Sequence, residues 1–190
     1  AGVSPNEDSY FGTSVFRHAK NRTLWLMLLM LSATVTGEIL RHYEEAMSVM
    51  PVLITFIPML MGTSGNCGSQ SSTMVIRGLA VGEIEFRDFL RVIFKEIRVA
   101  LVVGLLLAAV NGIRIYLMYN QDIMLAFALG VTMIAVIVMA KCIGCTLPLL
   151  AKKIGVDPAI MAAPLISTIM DTCTILMYFT IITAFFRLGG

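Results

Sequence analysis

The sequence contains little charge. Of its 190 residues, 14% are Asp, Glu, Lys or Arg, whereas 58% are hydrophobic. An ordinary soluble domain carries about 25% charged residues, and it needs them because water must solvate its surface. The 14 basic and 12 acidic side chains of this chain are too few for that purpose. The shortage excludes a soluble globular protein and a nucleic-acid-binding protein, and it predicts an integral membrane protein embedded in a lipid bilayer.

The residues that build metal clusters and many active sites are also scarce. The chain has four cysteines and two histidines, and the histidines, His18 and His42, stand alone. Because the cysteines lie in apolar stretches, they do not indicate a small secreted domain held together by disulfides. No phosphate-binding glycine loop is present, and no Ser or Asp is placed to pair with a histidine. These absences argue against a membrane enzyme and against a site for copper or zinc.

Long apolar segments divide the chain into five predicted membrane spans. At about 20 residues per helical span, the length leaves little room for an extramembrane domain. Pro51 and Pro58 interrupt the second span, and Asp157 followed by Pro158 is a typical helix start. The five spans are predicted at residues 23–40, 47–76, 99–118, 123–150 and 158–186. The sequence therefore predicts an all-α integral membrane protein with five transmembrane helices and additional interfacial amphipathic helices.

The polar segments predict the orientation of these spans. Residues 1–22 are predicted to form a polar cytoplasmic segment with an interfacial helix, and residues 23–186 the transmembrane domain. Residues 77–98 carry nine charges among apolar side chains at helical spacing, which predicts an amphipathic helix at the interface. Most Lys and Arg residues outside the spans fall on the side of the N-terminus, which predicts that the N-terminus is inside and the C-terminus outside. No short apolar run precedes the first segment, so no signal peptide is expected.

Asp171 is the carboxylate that the sequence places deepest in a span. A charged side chain at such a depth costs several kcal/mol. Ser167, Thr168 and Thr174 lie three or four residues away along the helix, and Tyr178 lies seven away, so Asp171 sits on a polar face. This face is either a cation or proton site that lines a water-filled path or a set of hydrogen bonds that joins helices. The position of Asp171 favours the first interpretation.

A second polar cluster occupies the later part of the second span. From residue 62 to residue 73 the sequence reads GTSGNCGSQSST. Polar and glycine-rich backbone within a membrane is tolerated where it is buried in protein or lines water. Small residues at this spacing could also serve only to pack helices together, but packing does not require Asn66 and Gln70. The cluster therefore favours a pore lining, and the two roles are compatible.

Two further charges lie at or within predicted spans. Glu96, at the start of the third span, is expected to pair with nearby Lys95 or Arg98. Lys141, within the fourth span, is expected to extend its ammonium group to the inner membrane surface. Both residues are weaker signals of function than Asp171.

The order and spacing of these motifs resemble the membrane domain of the MgtE family of magnesium channels and transporters. The resemblance covers residues 12–186. It is specific because the order of the motifs, their spacing and the number of spans all resemble those of the family. The motifs are Pro58 before Gly65-Asn66-x-Gly68-x-Gln70, then Arg77-Gly78-Leu79-Ala80-x-Gly82-Glu83-Ile84, Lys95-Glu96 before Gly104, and Gly155-x-Asp157-Pro158-Ala159 before Pro164 and Asp171. The 190 residues do not include the cytoplasmic N-terminal and CBS domains that the family commonly has.

The resemblance implies a homodimer in the cell (inner or plasma) membrane, with a pore on the dimer axis lined by the second and fifth helices of both subunits. It implies hydrated Mg²⁺ as the transported ion. Because Ser64 stands where the family commonly has glycine, the preference among divalent cations stays open, with Mn²⁺ as an alternative ion. Asp171 is then the main ion-binding residue, and Ser167 falls where the family offers a backbone carbonyl. The metal-site residues on this basis are Asp171, Asn66, Gly65, Ser167, Thr168 and Gly62.

Two other functions stay open at this point. The chain could be a proton- or sodium-coupled carrier that uses Asp171 as its protonatable site. Flux that depends on a pH gradient, without a magnesium current, would favour that function. The chain could also be a non-conducting membrane assembly subunit whose Gly/Ser face serves only oligomerisation. Fluxes that do not respond to changes at Asp171 and Asn66 would favour the assembly subunit.

Overall fold

The structure, a computed structural model, describes residues 14–119 and 122–187, apart from the side chains of residues 21, 22, 24, 25 and 159–164. These residues form helices and contain no β-strand, which confirms the all-α prediction. The α-helices are α1 Val15–His42, α2 Glu44–Val49, α3 Ile57–Ala80, α4 Phe89–Met118, α5 Ile123–Lys153 and α6 Pro158–Phe186. Short 3₁₀ turns, Pro51–Phe56 and Phe86–Asp88, precede α3 and α4.

Helix α5 lies at the centre of the bundle. It packs against α3, α4 and α6, and buried side chains occur along its length from Leu125 to Ala151. A helix that is apolar on all sides belongs in the interior of a protein or a membrane. Within the described ranges, two stretches are long and apolar enough to cross a membrane: Ile123–Lys153, which is α5, and Leu165–Phe186 of α6. These two stretches coincide with the last two predicted spans.

Helices α1 and α4 form the edges of the bundle, where α1 packs on α6 and α4 on α5. Both expose rows of large apolar side chains. The exposed residues are Leu26, Met27, Leu28, Met30, Leu31 and Val35 on α1, and Leu101, Val102, Leu105, Leu106, Val110, Ile113 and Leu117 on α4. Soluble monomers rarely expose contiguous apolar patches of this extent. The two rows are therefore candidates for contact with the hydrocarbon chains of a bilayer.

The observed helix ends revise two predicted segments. Helix α1 is continuous across residue 22, so the described part of the predicted interfacial helix belongs to the same helix as the first predicted span. Residues 1–13 of that prediction lie outside the described residues. The second predicted span divides near Pro51, and α3 begins only at Ile57 with Pro58 in its first turn. Proline is tolerated there because the first-turn N–H groups have no partner within the helix.

The charged segment 77–98 forms a turn and the beginning of α4. Helix α3 ends at Ala80, and Gly82 adopts a φ of 75°, a left-handed conformation that costs glycine little. From Phe89 onward the predicted amphipathic helix continues without interruption into the third predicted span. The amphipathic part is therefore the first turns of a long helix.

Helices α3 and α5 cross at two glycines. A Cβ atom added at Gly144 would overlap the backbone of Gly68 and lie 2.9 Å from its Cα. One at Gly68 would lie 3.0 Å from Met170 Cε and 3.1 Å from Ile166 Cγ2. Gly68 thus lies at the point where α3, α5 and α6 meet. Small residues allow such close approach of helix backbones, which is a common way to pack helices in a membrane.

The buried tyrosine Tyr178 links α6 to the 3₁₀ turn before α3. Its hydroxyl donates a hydrogen bond to the Leu53 carbonyl at 2.8 Å, and both residues are fully buried. We expect Tyr178→Phe to keep the ring packing but to lose about 1 kcal/mol of stability. Thermal unfolding in detergent would measure the loss, with Tyr116→Phe on the outer face of α4 as the matched control. Equal melting temperatures for the two variants would contradict this role of the hydroxyl.

Candidate cation site on helices α3 and α6

Asp171 lies on α6, beside the buried face of that helix. The residue is half-buried, and it directly follows the buried Met170. No basic side chain in the described part of the chain forms an ion pair with Asp171, and no side chain there forms a hydrogen bond with it. A carboxylate within an apolar helix is costly unless something compensates its charge. Asp171 is therefore the carboxylate that a cation from outside the chain could pair with.

The polar residues around Asp171 divide between two surroundings. Ser167 is exposed and Thr168 is half-buried, so both lie towards the surface. Thr174 is buried, and its hydroxyl donates to Ser64 Oγ of α3 at 2.8 Å. Tyr178 is buried as well. The polar face predicted from the sequence is consequently divided: its residues before Asp171 lie towards the surface, and those after it form packing contacts.

Helix α3 presents a stripe of exposed polar and small residues. Its members recur at intervals of three and four residues, so they share one face of the helix. The stripe consists of Gly62, Asn66, Ser69, Gln70 and Thr73, all exposed. Gly65 lies beside it and is half-buried. We call these five exposed residues the α3 polar stripe.

The opposite face of α3 is the one that contacts α6 in this chain. Ser64 meets Thr174 there, and Gly68 meets Met170, the neighbour of Asp171. Small side chains and hydroxyls at these positions let the two helices approach closely. Helices α3 and α6 therefore pack directly on each other within one chain, and the α3 polar stripe does not take part in this contact.

An open cavity of about 770 Å³ lies beside the α3 polar stripe. Asn66, Ser69, Gln70 and Thr73 line it together with residues of α4 and α5. No described residue of α6 lines this cavity. Within one chain, therefore, Asn66 and Asp171 do not share a cavity, and the two groups of predicted site residues lie on different surfaces.

The same cavity contains a charged network that the sequence interpretation assigned wrongly. Lys141 Nζ lies 3.7 Å from Glu96 Oε2, and the two side chains are only 6% and 16% exposed. Lys141 therefore does not extend to the membrane surface, and Glu96 pairs with it instead of with Lys95 or Arg98. The available signal was that a Lys falls within one predicted span and a Glu at the start of another, where each is costly unless paired.

The described residues do not bring metal-ligating side chains together into a cluster. Among the described residues, no group of three or more His, Cys, Asp or Glu side chains is placed to hold a metal ion. A single carboxylate with hydroxyl and carbonyl oxygens near it is suited to a hard cation that keeps most of its water. Such a site would contact the ion mainly through its hydration shell.

The apolar helices, the α3 polar stripe and the unpaired Asp171 together define the class of this protein, an all-helical and largely apolar fold with a candidate cation site. The sequence pattern of the family MgtE, described as a divalent cation transporter, matches residues 57–181. The chain belongs to the MgtE family, which confirms the resemblance seen in its motifs. The family is described as one of transporters, which agrees with the expectation that the chain is not an enzyme.

Three curated relatives named magnesium transporter MgtE match most of this chain. The Thermus thermophilus relative is 35% identical over 84% of this chain and 35% of its own length. The Bacillus subtilis relative is 32% identical over 96% of the chain and 40% of its own length. The Enterococcus faecalis relative is 33% identical over 98% of the chain and 40% of its own length. The chain thus spans less than half the length of these relatives.

Proposed function

We propose that this chain forms a pathway that carries hydrated Mg²⁺ through the cell membrane, on the axis of a homodimer, with Asp171 as the main ion-binding residue. The observation that carries the proposal is the carboxylate of Asp171, which lies half-buried in an apolar helix without a described basic partner. The family description and the names of the relatives support a divalent cation as the ion.

The chemistry of Mg²⁺ fits the residues around Asp171. Mg²⁺ prefers six oxygen ligands and releases its water reluctantly, so few protein ligands are required. The Asp171 carboxylate supplies the charge, and Ser167 and Thr168 supply hydroxyl and carbonyl oxygens one turn away. Two Asp171 carboxylates facing each other across a two-fold axis would repel each other, and a divalent ion between them would remove that repulsion. Mn²⁺, which accepts the same oxygen ligands, is a second ion of this pathway.

The α3 polar stripe supports the dimer. Exposed in one chain, it would face hydrocarbon, where amide and hydroxyl groups lose their hydrogen bonds with water. A second copy that covers this face would place Asn66, Gly62 and Gly65 at the interface and leave them hydrated. We therefore assign these residues, with Asp171, Ser167 and Thr168, to the pore of the homodimer.

The membrane arrangement follows from the helices. We assign α1, α3, α4, α5 and α6 as the five spans of a domain covering residues 23–186, with residues 1–22 in the cytoplasm and the C-terminus outside. The length of each helix is sufficient for a crossing, and the exposed apolar rows on α1 and α4 support contact with lipid. The distribution of Lys and Arg supports this orientation.

Uptake into proteoliposomes tests the function. The purified chain, reconstituted with a magnesium-sensitive dye inside, is expected to carry Mg²⁺ down its gradient and faster when the interior is negative. Imposed pH or sodium gradients are expected to leave the rate unchanged. Empty liposomes are the control. Uptake that requires one of those gradients would identify a coupled carrier, and the absence of uptake of any divalent cation would contradict the proposal.

A further inference from the structure

A buried charge network joins three helices beside the α3 polar stripe. Glu96 of α4 and Lys141 of α5 lie 3.7 Å apart, and the Ser71 hydroxyl of α3 donates to Glu96 Oε2 at 2.5 Å. Lys141 Nζ also lies 3.3 Å from Ser71 Oγ and donates to it. Ser71 and Lys141 are buried. Every charged group of this network is thus paired.

The network lies in the wall of the cavity that the α3 polar stripe borders. Ser71, Glu96 and Lys141 line it, as do Asn66 and Gln70. Lys95 is a further charged residue of this wall. With Glu96 ionised, one negative charge faces two positive ones. Without it, the buried ammonium group of Lys141 would face the cavity without a counter-charge, whereas Lys95 is exposed to solvent.

A buried ion pair is a weak means of adding stability, because removing two charges from water costs about as much as their attraction returns. The ion pair has a larger effect on the electrostatic potential in the cavity than on the stability of the fold. An unpaired buried charge in the wall of a cavity acts on an ion within it, and the effect doubles for a divalent ion. A lysine beside a cation pathway therefore has to be neutralised.

We propose that Glu96 neutralises Lys141 in the wall of the α3 cavity, so that the pair sets a potential that divalent cations can tolerate, and that Ser71 positions the carboxylate. This inference rests on the proposed function, since it requires cations to pass along the α3 polar stripe. It assigns Glu96 and Lys141 as determinants of cation affinity that do not themselves contact the ion.

The two charges are expected to act in opposite directions, which a purely structural role would not produce. Glu96→Gln leaves Lys141 uncompensated and is expected to raise the Mg²⁺ concentration for half-maximal uptake about tenfold. Lys141→Met leaves a carboxylate facing the cavity and is expected to lower that concentration. The double variant removes both charges and is expected to return to within about threefold of the parent. Uptake into proteoliposomes at a series of Mg²⁺ concentrations measures all three.

Glu85→Gln is the matched control. It makes the same chemical change in an ion pair, with Arg87 at 3.0 Å, whose side chains are largely exposed. It is expected to leave the half-saturating concentration within about twofold of the parent, because exposed pairs are screened. Thermal unfolding of every variant in detergent shows whether the uptake measurements compare folded proteins.

The outcomes separate this inference from the proposed function. A parent protein that carries no divalent cation overturns both. A parent that carries Mg²⁺, with single variants that shift the half-saturating concentration in the same direction or not at all, overturns the inference alone. Failure of the double variant to recover, with folded protein present, also overturns it, since Glu96 and Lys141 would then serve only to hold the helices together.

Discussion

Mg²⁺ uptake is expected to fall about a hundredfold or more when Asp171 is replaced by asparagine. The side chain keeps its size and its carbonyl oxygen, so the packing of α6 against α3 is expected to persist. What is lost is a negative charge close to a divalent ion, and in a partly buried site that attraction amounts to several kcal/mol. Initial uptake rates of reconstituted variant and parent, at matched protein density, measure the effect.

Asp157→Asn is the control for this substitution. It makes the same change in the residue that precedes α6, in an exposed position, and asparagine serves about as well as aspartate at a helix start. Its uptake is expected to match that of the parent. If Asp171→Asn carried Mg²⁺ at the parental rate, Asp171 would not be the ion-binding residue. If it lost only uptake that depends on a pH gradient, Asp171 would be the proton site of a carrier.

The second large effect is expected for Gly144→Ala. The added methyl group would meet the backbone of Gly68, so no flexible side chain can move aside. The helices α3 and α5 would have to separate, which we expect to cost about 3 kcal/mol or more. Because α3 also contacts α6 through Gly68, the displacement would reach the turn that carries Asp171. Thermal unfolding in detergent and the yield of monodisperse protein measure the loss.

Gly112→Ala provides the comparison. Gly112 lies within α4, and a Cβ atom added there meets nothing within 4 Å. Alanine is the better helix former by about 1 kcal/mol, so this variant is expected to be as stable as the parent or slightly more stable. A Gly144→Ala protein that unfolds at the same temperature as Gly112→Ala would show that the α3–α5 crossing tolerates a wider separation.

The helix that the sequence predicts most accurately is the one with a clear start signal. For α6 the predicted limits, residues 158–186, agree with the observed Pro158–Phe186, because Asp157-Pro158 marks the start clearly. For α3 the predicted start was about ten residues early. An apolar composition does not show where a chain changes from a 3₁₀ turn to an α-helix. Pro51 and Pro58 are each compatible with the start of either one.

The partner of Glu96 could not be found from local spacing. Lys95 and Arg98 are close in sequence, but residues one and two apart on a helix do not face each other. The observed partner, Lys141, lies on α5, and its proximity depends on how α4 and α5 pack. Similarly, Thr174 and Tyr178 share a face with Asp171, yet they are occupied by contacts with Ser64 and Leu53.

By itself the sequence determined the membrane class, the helical content, the motifs of the MgtE family and the isolated carboxylate of Asp171. These depend on composition and on spacing along the chain, which no packing arrangement alters. Only the tertiary structure decided which face of α3 is exposed, that Gly68 and Gly144 meet, and that Glu96 neutralises Lys141. Those features depend on which helices are neighbours and on how each is rotated about its axis. The hydrophobic periodicity of one helix does not show which other helix packs against it.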